Sequence, residues 1–254
     1  MTTPPAPAAL IWQIFWVALL TDLATGLGAL PFVFVRTLSS KWQGIGYAIS
    51  SGMMLSASVF GLTYQGLRRG AVGEMVVGLL AGACCYWWAA KWVGRRHWTI
   101  EHLNARDSRQ AVLLVLTMFV HSIPEGIAIG VGYATGEFRF GLLLAVAIAI
   151  QNIPEGTAIS LPLRAKGVSV RRCAGYAIFS SLPQPLAAVP AFLLVWLFKP
   201  LLPSALGFAG GAMIFLVCEE LIPESLARCS RTATAWGLMA GFAGMLVCTA
   251  GLGL

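Results

Sequence analysis

The chain has 254 residues, of which 58% are apolar and only 11% charged, with a formal net charge of +7. Soluble globular domains carry about 25% charged residues, so this composition excludes the soluble class. The positive charge is spread over short loops, where it fits anionic lipid headgroups better than nucleic acid. We therefore predict one integral membrane domain over residues 1–254, with the lipid bilayer and no nucleic acid as partner.

Long apolar runs predict the secondary structure, because about 20 helical residues cross ~30 Å of hydrocarbon. Such runs lie at 9–35, 44–67, 72–93, 111–134, 139–163, 173–198, 201–226 and 232–254. The first run is too long for the apolar core of a signal sequence and lacks a basic flank, so we expect it to be retained. The prediction is an all-α polytopic membrane protein, a bundle of eight transmembrane helices numbered here spans 1 to 8.

The lysine and arginine residues indicate the orientation, because basic residues accumulate in cytoplasmic loops. All but four of the 17 lie in loops that follow odd-numbered spans. The four exceptions are Arg68, Arg69, Arg139 and Lys199. Both termini are therefore expected on the extracytoplasmic side. The only sizeable loop, 94–110, is expected in the cytoplasm.

Span 1 contains one acidic residue, Asp22, near its middle. An intramembrane carboxylate costs about 3 kcal/mol on insertion scales and is functional by default. One interpretation is structural, with Asp22 hydrogen-bonded to Thr21 or Thr25. The other is a group on a pathway for ions or protons. The sequence leaves both open, because no partner at ligand spacing accompanies Asp22.

Two related hexapeptides are the most informative pattern: HSIPEG at 121–126 in span 4 and QNIPEG at 151–156 in span 5. Residues i and i+4 share one face of a helix, which pairs His121 with Glu125 and Gln151 with Glu155. Each proline removes a backbone N–H and opens its turn. Because spans 4 and 5 run antiparallel, the two motifs are expected at similar depth near the membrane midplane.

The paired side chains make a ligand set for a cation. One imidazole nitrogen, two carboxylates and an amide oxygen suit Zn²⁺, Fe²⁺, Mn²⁺ or Cd²⁺ better than Ca²⁺ or Mg²⁺, which prefer oxygen alone. The alternative is structural, with prolines that kink the helices and polar residues that bond one another. The doubled pattern favours the metal site, because intramembrane ionisable residues are functional by default.

These motifs resemble those of the ZIP (Zrt- and Irt-like protein) family of divalent metal transporters, in its prokaryotic form. The resemblance extends to GMM at 52–54 in span 2, EELIPE at 219–224 in span 7 and TAG at 249–251. It implies an elevator-like or alternating-access carrier with a two-metal centre on spans 4 and 5. It also implies a carboxylate on the cytoplasmic exit route, which Glu220 matches, with Glu219 beside it.

The resemblance also implies individual ligands. The first metal position would use His121, Glu125, Gln151 and Glu155, with Met54 nearby as a thioether ligand. The second would use Ser122, Asn152 and Gln184 beside the shared glutamates. The family pattern has an acidic residue where this chain has Gln184, and the missing charge weakens the hold on a second cation. We therefore expect one well-formed metal site.

The function so implied is ATP-independent movement of a divalent metal ion, Zn²⁺ foremost, into the cytoplasm across a bacterial inner (plasma) membrane. The protein would be no enzyme and would need no organic cofactor. Two alternatives stay open: an intramembrane zinc metallohydrolase, disfavoured because no H-E-x-x-H helix is present, and a non-transporting metal sensor or scaffold. Metal binding by His97 and His102, and a homodimer, also stay open.

Overall fold

The computed structural model describes residues 7–35, 39–94 and 105–252. Within these ranges the chain forms helices and no strand. Eight helices there are long and apolar enough to cross a membrane: Ala8–Phe34, Ser40–Arg69, Val72–Trp92, Val115–Ala134, Phe138–Ala165, Val170–Leu197, Lys199–Arg228 and Arg231–Ala250. Each lies within four residues of its predicted run at both ends, which confirms the predicted fold class.

Several spans consist of more than one helical segment. The segments are Pro7–Leu27, Pro31–Phe34, Ser40–Ser56, Ala57–Thr63, Tyr64–Arg69, Val72–Gly94, Ala105–Ala134, Phe138–Ala165, Val170–Ser181, Pro183–Leu197, Lys199–Leu201, Leu202–Leu216, Val217–Leu221, Ile222–Arg228 and Arg231–Leu252. Ala57–Thr63 and Val217–Leu221 are π-helical turns. The helix of span 4 already begins at Ala105, so the predicted loop 94–110 is wrong for its last six residues.

Short glycine turns bring consecutive spans side by side around the hexapeptides. Gly136 between spans 4 and 5 and Gly167 between spans 5 and 6 both have φ of +85°. A residue with a Cβ rarely adopts this left-handed conformation, whereas glycine does so at little cost. The two turns therefore hold spans 4, 5 and 6 as antiparallel neighbours and bring their polar residues together.

The spans pack as two groups of four helices. Spans 1, 4, 5 and 6 contact mainly one another, and so do spans 2, 3, 7 and 8. Contacts between the groups run chiefly from span 4 to spans 3 and 7 and from span 5 to span 2. Both hexapeptides belong to the first group, and span 4 lies where that group meets the second.

Close backbone contact holds each group together. In the first group, a Cβ at Gly156 would overlap the carbonyl oxygen of Thr25, and in the second, one at Gly82 would overlap that of Phe208. Such approach through small residues is the common way in which membrane helices associate without a hydrophobic driving force. Large apolar side chains remain on the outer surface, for example Trp16 and Leu20, which are 56% and 64% exposed. This surface fits contact with lipid.

Candidate metal site

Both hexapeptides lie inside continuous helices, and their polar side chains are buried. Helix Ala105–Ala134 passes through Pro124, and helix Phe138–Ala165 passes through Pro154 and Pro162. The buried polar side chains are His121, Ser122, Glu125, Gln151, Asn152 and Glu155, none more than 4% exposed. A helix pair with this many buried polar groups must satisfy them with one another, with other spans or with a ligand.

Glu125 is the point on which three spans converge. Its Oε1 accepts a hydrogen bond of 3.1 Å from the Gln151 amide, and its Oε2 accepts one of 2.5 Å from the Gln184 amide. The carboxyl group of Glu155 lies close enough to Glu125 to interact with it electrostatically. The structure thus brings together four residues predicted as site residues: two carboxyl groups from spans 4 and 5 and two amides from spans 5 and 6.

Gln184 reaches this cluster because span 6 is interrupted. The span divides at Leu182 into helices Val170–Ser181 and Pro183–Leu197, and Gln184 lies in the first turn of the second. Its Oε1 accepts hydrogen bonds from the Thr21 hydroxyl at 2.7 Å and from the Asn152 amide at 3.1 Å. Because the amide nitrogen donates to Glu125, both ends of the Gln184 side chain are engaged with protein groups.

The two remaining residues of the expected second metal position differ in their contacts. Asn152 donates to Gln184 and to the carbonyl oxygen of Thr21 at 2.8 Å, and therefore belongs to the same polar cluster. Ser122 donates to the carbonyl oxygen of Met118 in its own helix at 3.1 Å. That bond engages the only hydroxyl proton of Ser122 within span 4.

His121 faces the second helix group rather than the amides. Its Nδ1 lies 3.4 Å from the Tyr86 hydroxyl of span 3 and 3.9 Å from Glu220 Oε2 of span 7. Glu220 Oε1 accepts a 2.7 Å hydrogen bond from Tyr86. Glu219 is exposed. The structure therefore brings Glu220, but not Glu219, into contact with a residue of the hexapeptides.

Several buried lone-pair atoms at the hexapeptides have no hydrogen-bond partner in the described part of the chain. They are His121 Nε2, Gln151 Oε1, Asn152 Oδ1 and Glu155 Oε1. Buried polar atoms in proteins are nearly always paired, so a concentration of unpaired acceptors requires an explanation. All four can coordinate a cation, and they belong to the residue types predicted as ligands.

Asp22 is fully buried in span 1, and both of its carboxyl oxygens lack a hydrogen-bond partner within the described ranges. The hydroxyl of Thr21 faces Gln184 Oε1 and the carbonyl oxygen of Ala18, each at 2.7 Å, and that of Thr25 pairs with Ser181 at 2.8 Å. The structural interpretation of Asp22, as a carboxylate bonded to Thr21 or Thr25, is therefore wrong. A pathway role stays a prediction.

Met54 is buried in the apolar core, three residues before the start of the π-helical turn Ala57–Thr63 of span 2. Its carbonyl oxygen accepts a 2.7 Å hydrogen bond from Ser58, and its role as a ligand stays a prediction. In the described part of the chain, no three His, Cys, Asp or Glu side chains form a group that could hold a metal ion. Three of the expected ligands, Gln151, Asn152 and Gln184, are amides, and His121 faces Tyr86 and Glu220, which explains this finding.

Sequence reasoning missed Tyr86 and passed over the part that Thr21 plays in the site. Tyr86 is 3% exposed and was one aromatic residue among many in span 3, with no polar neighbour at helical spacing. The sequence indicates Thr21 only as a partner of Asp22. Neither role had a local sequence signal, because the contacts join distant spans. His97 and His102, for which metal binding stays an open prediction, lie outside the described residues.

Comparison with known proteins identifies the family of the chain. A family model for ZIP zinc transporters matches residues 96–249, more than half of the chain. The zinc transporter GufA of Myxococcus xanthus is 35% identical over 93% of this chain and 97% of its own length. The zinc transporter ZIPB of Bordetella bronchiseptica is 38% identical over 91% of this chain and 78% of its own length. A putative zinc transporter of Arabidopsis thaliana is 40% identical over 84% of this chain, which spans only 34% of that relative's length. The chain therefore belongs to the ZIP zinc transporter family.

Proposed function

We propose that this protein carries a divalent transition-metal ion across a membrane without ATP, with Zn²⁺ as its main cargo and Fe²⁺, Mn²⁺ or Cd²⁺ as other candidates. The observation that carries the proposal is the set of unpaired buried lone pairs on His121, Gln151 and Glu155. Glu125 lies among them and supplies a second carboxylate. Two carboxylates can offset one divalent charge, and the mixed nitrogen and oxygen set suits borderline metals.

Membership of the ZIP family and the similarity to proteins named as zinc transporters support transport rather than hydrolysis. A metallohydrolase needs a metal-bound water held beside a general base and a peptide. Neither alternative, the hydrolase or the sensor, has a specific observation in its favour. We therefore assign the buried carboxylates to ion translocation.

The two groups of helices support alternating access as the mechanism. The metal site belongs to spans 4 and 5 of the first group, and His121 lies against spans 3 and 7 of the second. A relative movement of the two groups would change the surroundings of the site without dismantling its main ligands, which come from one group. The break in span 6 at Leu182 fits this scheme, since discontinuous helices are common at the substrate sites of transporters.

Orientation and location are further parts of the proposal. The excess of basic residues in loops after odd-numbered spans supports a topology with both termini outside, and we assign the direction of uptake toward the cytoplasm. We assign the protein to a bacterial inner (plasma) membrane. Glu220 would serve at the cytoplasmic side of the site, and Asp22 would serve as a second pathway group.

Flux through purified protein in liposomes tests the proposal. Glu125→Ala and Glu155→Ala should each abolish zinc uptake, because each removes half of the charge that neutralises the ion. Glu219→Ala is the matched control, since Glu219 is an exposed glutamate and should retain uptake. Wild-type flux from Glu125→Ala or Glu155→Ala would contradict the assignment of these carboxylates to ion translocation. Zinc binding without flux would instead indicate a sensor, and peptide cleavage in detergent would indicate a hydrolase.

A further inference from the structure

Tyr86 occupies a buried position between the two helix groups, with polar partners on both sides. It belongs to span 3, is 3% exposed and packs edge-on against the His121 ring, with 6.1 Å between ring centroids. Its hydroxyl lies 2.7 Å from Glu220 Oε1 and 3.4 Å from His121 Nδ1. Tyr86 thus connects a residue of the proposed metal site with a carboxylate of the other group.

The chemistry of these contacts fixes the direction of each hydrogen bond. A tyrosine hydroxyl has one proton, and a carboxylate can only accept. The short contact to Glu220 therefore uses the Tyr86 proton. The hydroxyl oxygen then faces His121 Nδ1 as an acceptor, and the second carboxylate oxygen of Glu220 lies beyond it, 3.9 Å from the same nitrogen. Both neighbours of Nδ1 are acceptors, so Nδ1 is the protonated nitrogen of a neutral ring.

The other ring nitrogen is then free to bind an ion. In a neutral imidazole one nitrogen carries the proton and the other carries the lone pair. His121 is fully buried, and its Nε2 has no hydrogen-bond partner in the described part of the chain. Metal-binding histidines usually donate their second N–H to a neighbouring acceptor, which fixes the tautomer and the ring orientation.

We propose that Tyr86, oriented by Glu220, is a positioning residue that holds His121 in its Nδ1–H tautomer and directs Nε2 to the transported cation. This inference rests on the proposed function for the role of the cation, although the tautomer itself can be measured without transport. It gives Glu220 a task in addition to any role on an exit route. It also assigns a task to the π-helical turn Val217–Leu221, which carries Glu220.

The arrangement ties the affinity of the site to the position of the two groups. His121 belongs to the first group, whereas Tyr86 and Glu220 belong to the second. The hydroxyl and carboxylate can hold the ring only while spans 3 and 7 keep this register against span 4. A shift between the groups would release Nδ1 and so free the tautomer and ring orientation of His121, while the residue itself stays with the other ligands of the first group.

Nuclear magnetic resonance can test the tautomer directly, because the chain has only three histidines. His97→Asn and His102→Asn together leave His121 as the only histidine. In this background, protein labelled with ¹⁵N-histidine should show a protonated Nδ1 and an unprotonated Nε2, and Zn²⁺ should shift the Nε2 signal. Tyr86→Phe should convert the spectrum to a mixture of tautomers. A protonated Nε2 in the parent protein, or an unchanged spectrum in Tyr86→Phe, would overturn the inference.

Transport kinetics in liposomes give the second measurement. Tyr86→Phe should raise the KM for Zn²⁺ about tenfold, with a smaller change in maximal rate, because loss of a ligand's hydrogen-bond partner typically costs 10- to 100-fold in metal affinity. Tyr133→Phe is the matched control: Tyr133 is also 3% exposed, but its hydroxyl has no partner within the described ranges. It should retain the parental KM. If Tyr86→Phe and Tyr133→Phe change the KM equally, the Tyr86 hydroxyl has no specific role in positioning His121.

The two measurements separate the inference from the proposed function. If the parent protein carries no zinc but His121 shows the Nδ1–H tautomer and responds to Tyr86→Phe, the positioning role stands and transport fails. If zinc flux depends on Glu125 and Glu155 while Tyr86→Phe leaves both the tautomer and the KM unchanged, transport stands and the positioning role fails. Combining Tyr86→Phe with Glu220→Gln should cost little beyond the single changes, because both act through His121.

Discussion

Replacing Gln184 by glutamate should change the number of ions that the site holds. Gln184 Nε2 donates to Glu125 Oε2 at 2.5 Å, so the substitution puts an acceptor where a donor now lies. Two carboxylates ~4 Å apart repel each other by about 4 kcal/mol at an effective dielectric constant of 20. A second cation bound between the Glu125 carboxylate and the carboxylate introduced at position 184 would offset that repulsion.

The electrostatic terms decide how many ions can bind. Two divalent ions ~4 Å apart repel each other by about 16 kcal/mol at the same dielectric constant, because four charge products each contribute about 4 kcal/mol. One carboxylate at a similar distance attracts one divalent ion by about 8 kcal/mol. Glu125 and Glu155 are needed to neutralise the first ion, and Ser122, Asn152 and Gln184 add no charge against the repulsion. A new carboxylate that touches both ions would add about 16 kcal/mol of attraction.

Calorimetry with Zn²⁺ on purified protein measures the outcome. The natural chain should bind one ion, and Gln184→Glu should bind two or show a clearly strengthened second site. Gln184→Met is the matched control, because it removes the amide without adding charge. Thermal melts should show that Gln184→Glu is less stable than the natural chain without metal and gains more from Zn²⁺. Two tight sites in the natural chain, or no gain with Gln184→Glu, would refute the reasoning.

Three further predictions follow from other parts of the structure. In a variant without native cysteines, Arg106→Cys should react with an impermeant maleimide only after the membrane is opened, and Arg68→Cys should react in intact cells; the reverse pattern would overturn the topology. Gly156→Ala should lower the melting temperature, because its Cβ would overlap the Thr25 carbonyl oxygen and overpacking of this kind costs about 1–3 kcal/mol of stability. Gly175→Ala should leave the melting temperature unchanged, since no atom outside its own stretch of helix lies within 4 Å of its added Cβ. Asp22→Asn should raise the melting temperature and slow zinc flux, because it removes a buried unpaired carboxylate from a proposed pathway; unchanged flux would argue against that role.

Much of the fold could be predicted from the sequence because the bilayer imposes one simple rule. Each span must satisfy its backbone hydrogen bonds internally and be apolar over about 20 residues, so runs of apolar residues mark the helices directly. The cluster around Glu125 was also accessible, since i and i+4 residues share a face and the turn at Gly136 makes spans 4 and 5 antiparallel neighbours.

The unpredicted features depend on contacts between distant spans. The π-helical turn at Val217–Leu221 and the break at Leu182 have no unique local signal, since Pro183 could equally have kinked a continuous helix. Tyr86 lies 35 residues before His121 and 134 before Glu220, so only the folded arrangement joins them. Local periodicity reports which face of a helix is polar, but not which neighbour that face meets.

Gln151 and Gln184 give a second reason, independent of charge, why the first metal position should be better formed than the second. Gln151 donates its amide N–H to Glu125 and keeps an unpaired carbonyl oxygen, so it can ligate an ion without giving up its protein contact. Gln184 already uses its carbonyl oxygen for Thr21 and Asn152 and its nitrogen for Glu125. To ligate an ion it would have to give up existing hydrogen bonds, each contributing about 1 kcal/mol net and more where a buried partner is left unpaired. The same residue that lacks the charge for a second ion therefore also lacks a free lone pair, and its hydrogen bonds instead hold Glu125 and Asn152 in place.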